Sequence, residues 1–227
     1  MTTTFQRARS DEQRAERSRA ILATAASMLA EMPVADVSLN ELSRRVGLAK
    51  SNVLRYFESR EAVLLNLLNA ASKDWLTDLT RRLRRGVAPS ADLDARIERV
   101  AALIAKSVAQ RPELCDLLSA QSSALERNIS TDSVVTFKRA ARADLETFAN
   151  LVVGYVPELG QGGASTFVVY AASAVGALWT ASNPADAVLA AYIAEPDLSA
   201  MRIEFEPALR QLYQFLLTGI AMRNSVK

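Results

Sequence analysis

Apolar residues recur along this chain at spacings of three and four, the period of a helix with one buried face. Ile21, Ala25, Met28 and Leu29 make one such stripe, Leu39, Leu42 and Val46 a second, and Leu64, Leu68, Ala71, Trp75 and Leu79 a third. Further along, Phe137, Ala141, Leu145, Phe148 and Val152 share a face, as do Leu209, Leu212, Leu216 and Ile220. Glycine and proline are few, at eight and seven of 227 residues. The pattern predicts an all-α protein of about nine helices.

Capping and breaking residues place the ends. Ser10 with Gln13 makes a capping box for a first helix that stops at Pro33, with Asp11 and Glu12 at its positive end. Ahead of it, residues 2–9 read as a polar tail whose Arg7 and Arg9 could reach a minor groove. Ser38 and Glu41 form a second box, Gly47 can take the positive φ that closes a helix, and another helix begins at about Ala49. A long helix runs from Arg60 to about Arg85, where Arg81, Arg82, Arg84 and Arg85 suit the negative end. Ser90 caps the next, to about Gln110, and Pro112 opens one through about Arg127. Helices over Thr131 to about Val156, Ala164 to Ser182, Pro184 to about Tyr192 and Glu206 to Met222 complete the chain, with a glycine-rich loop at 160–163.

The stretch from Ser38 to Val63 carries the most chemistry. Val53 and Phe57, four apart, face the core, which turns Ser51 and Arg55 outward beside Asn52 and Leu54. A guanidinium, an amide and a hydroxyl on an exposed helix match base edges and phosphates, and such a helix fits the major groove of B-DNA. This is the logic of a helix-turn-helix.

The stretch resembles the DNA-binding signature of TetR-family transcriptional regulators, through LNELSRRVGLAKSNVLRYF at 39–57 and SREAVLLNLL at 59–68. The resemblance implies recognition-helix positions for Lys50, Ser51, Asn52, Leu54, Arg55 and Tyr56, DNA contacts for Ser38 and Asn40, and a phosphate-facing place for Arg60. Leu54 and Tyr56 depart from the tyrosine and histidine usual there, which replaces a phosphate donor with an apolar group suited to a thymine methyl. It further implies a reading domain over 1–60 and a ligand-binding and dimerisation domain over 61–227. The whole is then a ligand-responsive regulator, most often a repressor, acting as a homodimer on a near-palindromic operator.

Composition narrows the alternatives. Residues 1–60 carry a net charge of +3 and residues 61–227 one of −1, a small basic reader on a near-neutral body. With no histidine and one cysteine, Cys115, the chain lacks a histidine base, a disulfide framework and the usual metal ligands. No phosphate-binding glycine motif occurs, so neither metal, cofactor nor enzyme chemistry is expected. The N-terminus lacks the apolar core of a signal peptide, and the dense apolar part of the run 159–185, Phe167 to Trp179, falls short of the roughly 20 residues of a membrane span. A cytoplasmic protein follows. Asn69, Trp75, Gln121, Phe137, Phe148 and Tyr170 are the candidates for lining an apolar effector pocket, and Ala171, Ala174, Trp179, Leu212 and Leu216 for the dimer interface. Two other classes fit the body alone: a helical enzyme or carrier of an apolar small molecule, and a helical protein adaptor.

Overall fold

The computed structural model describes the backbone of residues 2–225 and the side chains of residues 12–225. Among these there are ten α-helices and no strands: α1 (Thr2–Glu31), α2 (Leu39–Val46), α3 (Lys50–Val53), α4 (Arg60–Gly86), α5 (Leu93–Ala109), α6 (Pro112–Ala120), α7 (Thr131–Tyr155), α8 (Gly160–Ser182), α9 (Asp186–Ala194) and α10 (Phe205–Ser225). Several boundaries differ from the sequence reading; α6, for one, ends at Ala120 instead of about Arg127. The backbone of α1 begins at Thr2, so Ser10 lies inside the helix instead of at its start; the side chains of Arg7, Arg9, Ser10 and Asp11 lie outside the described residues. α5 is capped by Asp92, whose carboxylate accepts from the Ala95 amide at 2.8 Å, rather than by Ser90. Residues 160–163 are the first turn of α8 instead of a loop, entered through Gly160 at a φ of 58°.

The helices group into two compact units, Met1–Ala70 with Ala120–Phe137, and Ala71–Ser119 with Lys138–Lys227. α4 and α7 each run through both. The first unit buries Ile21, Ala25 and Met28 of α1, Leu42 of α2, and Val53, Val63, Leu64 and Leu68. It also takes in a π-helical turn, Gln121–Leu125, marked by the Glu126 amide bonding the Gln121 carbonyl at 3.1 Å, with Leu125 fully buried.

The second unit is a helical body whose core joins α4, α5, α7, α8 and α10. Four aromatic rings run through it edge to face: Trp75 on Phe148 at 4.9 Å, Phe148 on Phe167 at 6.2 Å, and Phe167 on Tyr213 at 5.6 Å. Tyr213, fully enclosed, donates its hydroxyl to the Ala171 carbonyl at 3.0 Å. α8 packs closely on α6 only because residue 176 is glycine; a Cβ there would stand 2.9 Å from the Leu118 carbonyl oxygen. One segment, Pro157–Ser182, is long and apolar enough to cross a membrane by length and composition. It nevertheless buries Ala164, Phe167, Val168, Ala171, Val175 and Gly176. α9 and the 3₁₀ turn Pro196–Met201 have no buried residues.

Candidate nucleic-acid interface

α2 is built as its residues demand. The Ser38 hydroxyl accepts from the Glu41 amide at 3.1 Å, satisfying one orphan donor of the first turn. The reciprocal half of the capping box is absent, because the Glu41 carboxylate is taken by Arg44 at 2.6 Å and Arg45 at 2.8 Å. Those guanidinium bonds, Arg44 foremost, hold the Glu41 carboxyl down at about 2. Arg45 also reaches Glu31 at 2.6 Å, pinning α2 to the end of α1. At the other end Gly47, with φ 71°, closes a Schellman motif: its amide bonds the Arg44 carbonyl at 3.2 Å, and the Leu48 amide bonds that of Ser43 at 3.0 Å. A Cβ at Gly47 would meet nothing, so only the left-handed backbone calls for glycine here.

The chain then re-enters helix at Ala49. α3 proper is a single turn, but hydrogen bonds continue it: Leu54 to Lys50 at 3.0 Å, Tyr56 to Val53 at 2.9 Å and Phe57 to Val53 at 3.1 Å. Val53 and Phe57 are buried, while Lys50, Ser51, Asn52, Leu54 and Arg55 are exposed, as their spacing requires. Ser38 and Asn40 are exposed at the start of α2. Together these exposed positions present two cations, two amides, two hydroxyls and an isobutyl group.

Two expected contacts sit differently. Tyr56 is half-buried, with the Arg14 guanidinium 5.9 Å from its ring centre. Arg60 is turned inward: its guanidinium donates to the carbonyls of Val34 and Val37 and pairs with Glu61 at 3.2 Å, leaving its side chain 21% exposed. It braces the turn 34–37 and is not free to face a phosphate. Beside Arg55 and Tyr56, α1 brings cations that the sequence reading passed over. Gln13, Arg14, Glu16 and Arg17 form, with Arg55 and Tyr56, a groove of about 500 Å³, and Arg14 donates to the Arg55 carbonyl at 3.3 Å. The three-residue spacing of Arg14 and Arg17 on one helix face was the available signal.

The sequence pattern described as "Bacterial regulatory proteins, tetR family" matches residues 21–67, and that described as "Tetracyclin repressor-like, C-terminal domain" matches residues 69–224, more than half of the chain. The chain belongs to the TetR family of transcriptional regulators. The HTH-type transcriptional regulator EthR of Mycobacterium tuberculosis is 44% identical over 54 residues, 24% of this chain and 25% of EthR. The nucleoid occlusion factor SlmA of Marinomonas sp. is 29% identical over 106 residues, 47% of this chain and 52% of that protein. The chain thus spans a quarter to about half the length of the curated relatives it matches. A TetR regulator from Rhodococcus sp. RHA1 superposes with a TM-score of 0.56 at 14% identity, over 91% of this chain and 95% of that one. The fatty acid degradation regulator FadR from Bacillus halodurans does so with a TM-score of 0.53 at 12% identity, over 89% and 95%. These two likenesses are of fold.

In the body of this TetR regulator the remaining candidate residues are distributed unevenly. Trp75 and Phe148 meet in the core, and the Trp75 N–H is taken by Ser107 at 2.9 Å. Phe137 is buried in the first unit, which also holds half-buried Asn69, and the Gln121 amide is committed to Glu126 at 2.8 Å. Tyr170, expected to line a pocket, is instead 57% exposed on the outside of α8. Of the expected dimer residues, Ala171 is fully buried under Tyr213, and Trp179 packs on Phe205 at 5.1 Å within its own chain. Ala174 and Leu216 are half-buried against the core, and Leu212 is half-buried. The large apolar groups facing outward on α8 and α10 are Val169, Tyr170, Phe215 and Met222, and α9 and the turn after it expose Val188, Ile193, Leu198 and Met201 as well. In α10 the inner face is Leu209, Tyr213, Leu217 and Ala221, so the expected stripe at Leu212, Leu216 and Ile220 lies at its edge. Asp144 on α7 was also passed over: it is half-buried, and its Oδ2 has no hydrogen-bond partner among the described residues. Burial raises its carboxyl above the ordinary range, against a weaker lowering by Lys73.

Proposed function

We propose that this TetR regulator binds a near-palindromic operator as a homodimer in the cytoplasm, represses transcription there, and is released by a small, mostly apolar effector held in the body. The observation that carries the DNA reading is the two-faced run 49–57, with Val53 and Phe57 buried and Lys50, Ser51, Asn52, Leu54 and Arg55 exposed. Lys50 and Arg55 would neutralise phosphates or read guanine, Asn52 suits adenine, and Leu54 suits a thymine methyl. Ser38 and Asn40 add contacts from α2, and Tyr56 and Arg60 hold the reading surface from behind. Labour would divide near residue 60, reading before it and effector binding and pairing after it. The exposed apolar groups of α8 and α10, including Tyr170 and Phe215 at 57% and 66% exposure, support pairing through those helices. Two reading helices would then sit about 34–36 Å apart, or that distance plus whole helical turns.

The test is selection by the full chain from a pool of random DNA duplexes, followed by titration of the enriched duplex at several salt concentrations. Wild-type affinity should fall with a slope of about −0.9 per neutralised phosphate. Arg55→Ala should cost about 1–3 kcal/mol and relax choice at one base pair. Enrichment of no sequence would overturn the reading.

A further inference from the structure

Directly after the buried Phe57 that ends the reading turn, and directly before Ser59, whose hydroxyl caps α4 at the Ala62 amide at 3.1 Å, stands Glu58. Its carboxylate reaches 72 positions along the chain to accept from the Ser130 amide at 2.8 Å. Ser130 is the capping residue of α7: its hydroxyl accepts from the Ser133 amide at 3.2 Å, and its carbonyl from the Val134 amide at 3.0 Å. A carboxylate at a helix start is stabilised by the orphan amides and by the helix dipole. The hydrogen bonds from Ser130 and Ser133 hold the Glu58 carboxyl below the usual range. Residues 120–137 accordingly belong to the compact unit that contains the reading turn, and α7 then continues unbroken to Tyr155 in the other unit.

We propose that Glu58 is a positioning residue for DNA reading, fastening the reading turn to the start of α7 so that displacement of α7 reaches the turn. The inference rests on the DNA-reading function proposed above. It assigns a role in communication to α7, which like α4 runs through both units. A rigid helix clamped at one end transmits motion along its axis, and an operator bound at the turn must by linkage alter whatever the far end of α7 binds.

Charge separates this role from a bland one. Glu58 is an exposed anion beside a DNA-reading surface, so an acid with no positioning role would oppose binding, and its neutralisation by any substitution would strengthen it. The experiment uses the full-length chain and a duplex enriched by the wild type from a random pool. Glu58→Gln loses the charge but keeps an oxygen for the Ser130 amide, and it should bind at least as tightly as wild type. Glu58→Ala loses both, and it should bind about three- to tenfold more weakly, the scale of one lost hydrogen bond. Hydrogen exchange at residues 133–137 should quicken about fivefold in Glu58→Ala and stay near the wild-type rate in Glu58→Gln. Equal affinities of the two variants, or unchanged exchange in Glu58→Ala, would overturn the positioning role alone. A wild type that enriches no duplex would overturn the DNA reading and this role with it.

Discussion

Trp75 donates its indole N–H to the Ser107 hydroxyl at 2.9 Å, and Ser107, fully buried, passes its own hydrogen to the Ile104 carbonyl at 2.8 Å. The relay seats a large aromatic ring of α4 against α5 while leaving neither polar group unpaired. Ser107→Ala would orphan the indole N–H in the core, at a cost of about 1–3 kcal/mol. A denaturant titration should show a lower midpoint with unchanged slope.

Arg60 supplies a second test, because a brace and a phosphate contact respond differently to salt. Its guanidinium is spent on the Val34 and Val37 carbonyls. Arg60→Ala should weaken binding to an enriched duplex while leaving the slope of affinity against salt unchanged. A true phosphate contact would lower that slope by about one. Comparison with Lys50→Ala, where the slope should fall, makes the measurement internally controlled.

Acid should loosen α2. The Glu41 carboxyl titrates at about 2 in the folded chain against an ordinary 4.5, so its contribution is complete above 4.5 and lost as pH falls from there through about 2. Carboxyl chemical shifts should place its midpoint near 2, with Arg44→Ala and Arg45→Ala each moving it upward.

Asp144 works in the opposite sense. Burial raises its folded carboxyl above the ordinary 3.8, so its charge becomes a growing liability as pH rises through the folded value. Asp144→Leu should therefore stabilise the chain at neutral pH by no more than about 1 kcal/mol, the group being only partly buried, with the gain shrinking as pH falls through the raised folded value and gone below 3.8. Thermal unfolding of both proteins across that range checks it.

The reading turn was legible in the linear sequence because its determinants are local. Ser38, Gly47, Val53 and Phe57 act within four or five residues of themselves, through caps, a left-handed φ and a helical face. Periodicity likewise showed that the protein is helical and which side of α1, α4 and α7 turns inward, since most of a helix's stability comes from burying its apolar stripe. In α10 the buried face is Leu209, Tyr213, Leu217 and Ala221, one position on from the stripe at 212, 216 and 220. Caps were less secure: Asp92 outcompeted Ser90, two residues away, for the start of α5.

What the linear pattern could not decide was which partner each inward or outward group meets. Arg60 reads as a free cation until Val34 and Val37 are seen to present carbonyls to it, and Tyr170 and Ala171 are neighbours in sequence with opposite fates across α8. Glu58 and Ser130, 72 positions apart, carry no mark of each other. The amino-acid sequence by itself determined the helices, the reading turn and its outward chemistry, because those follow from interactions one helical turn long. Only the tertiary structure decided that Arg60 braces, that Trp75 packs on Phe148 with its N–H on Ser107, and that α7 begins against the reading turn, because those depend on which distant groups packing leaves within reach of a side chain.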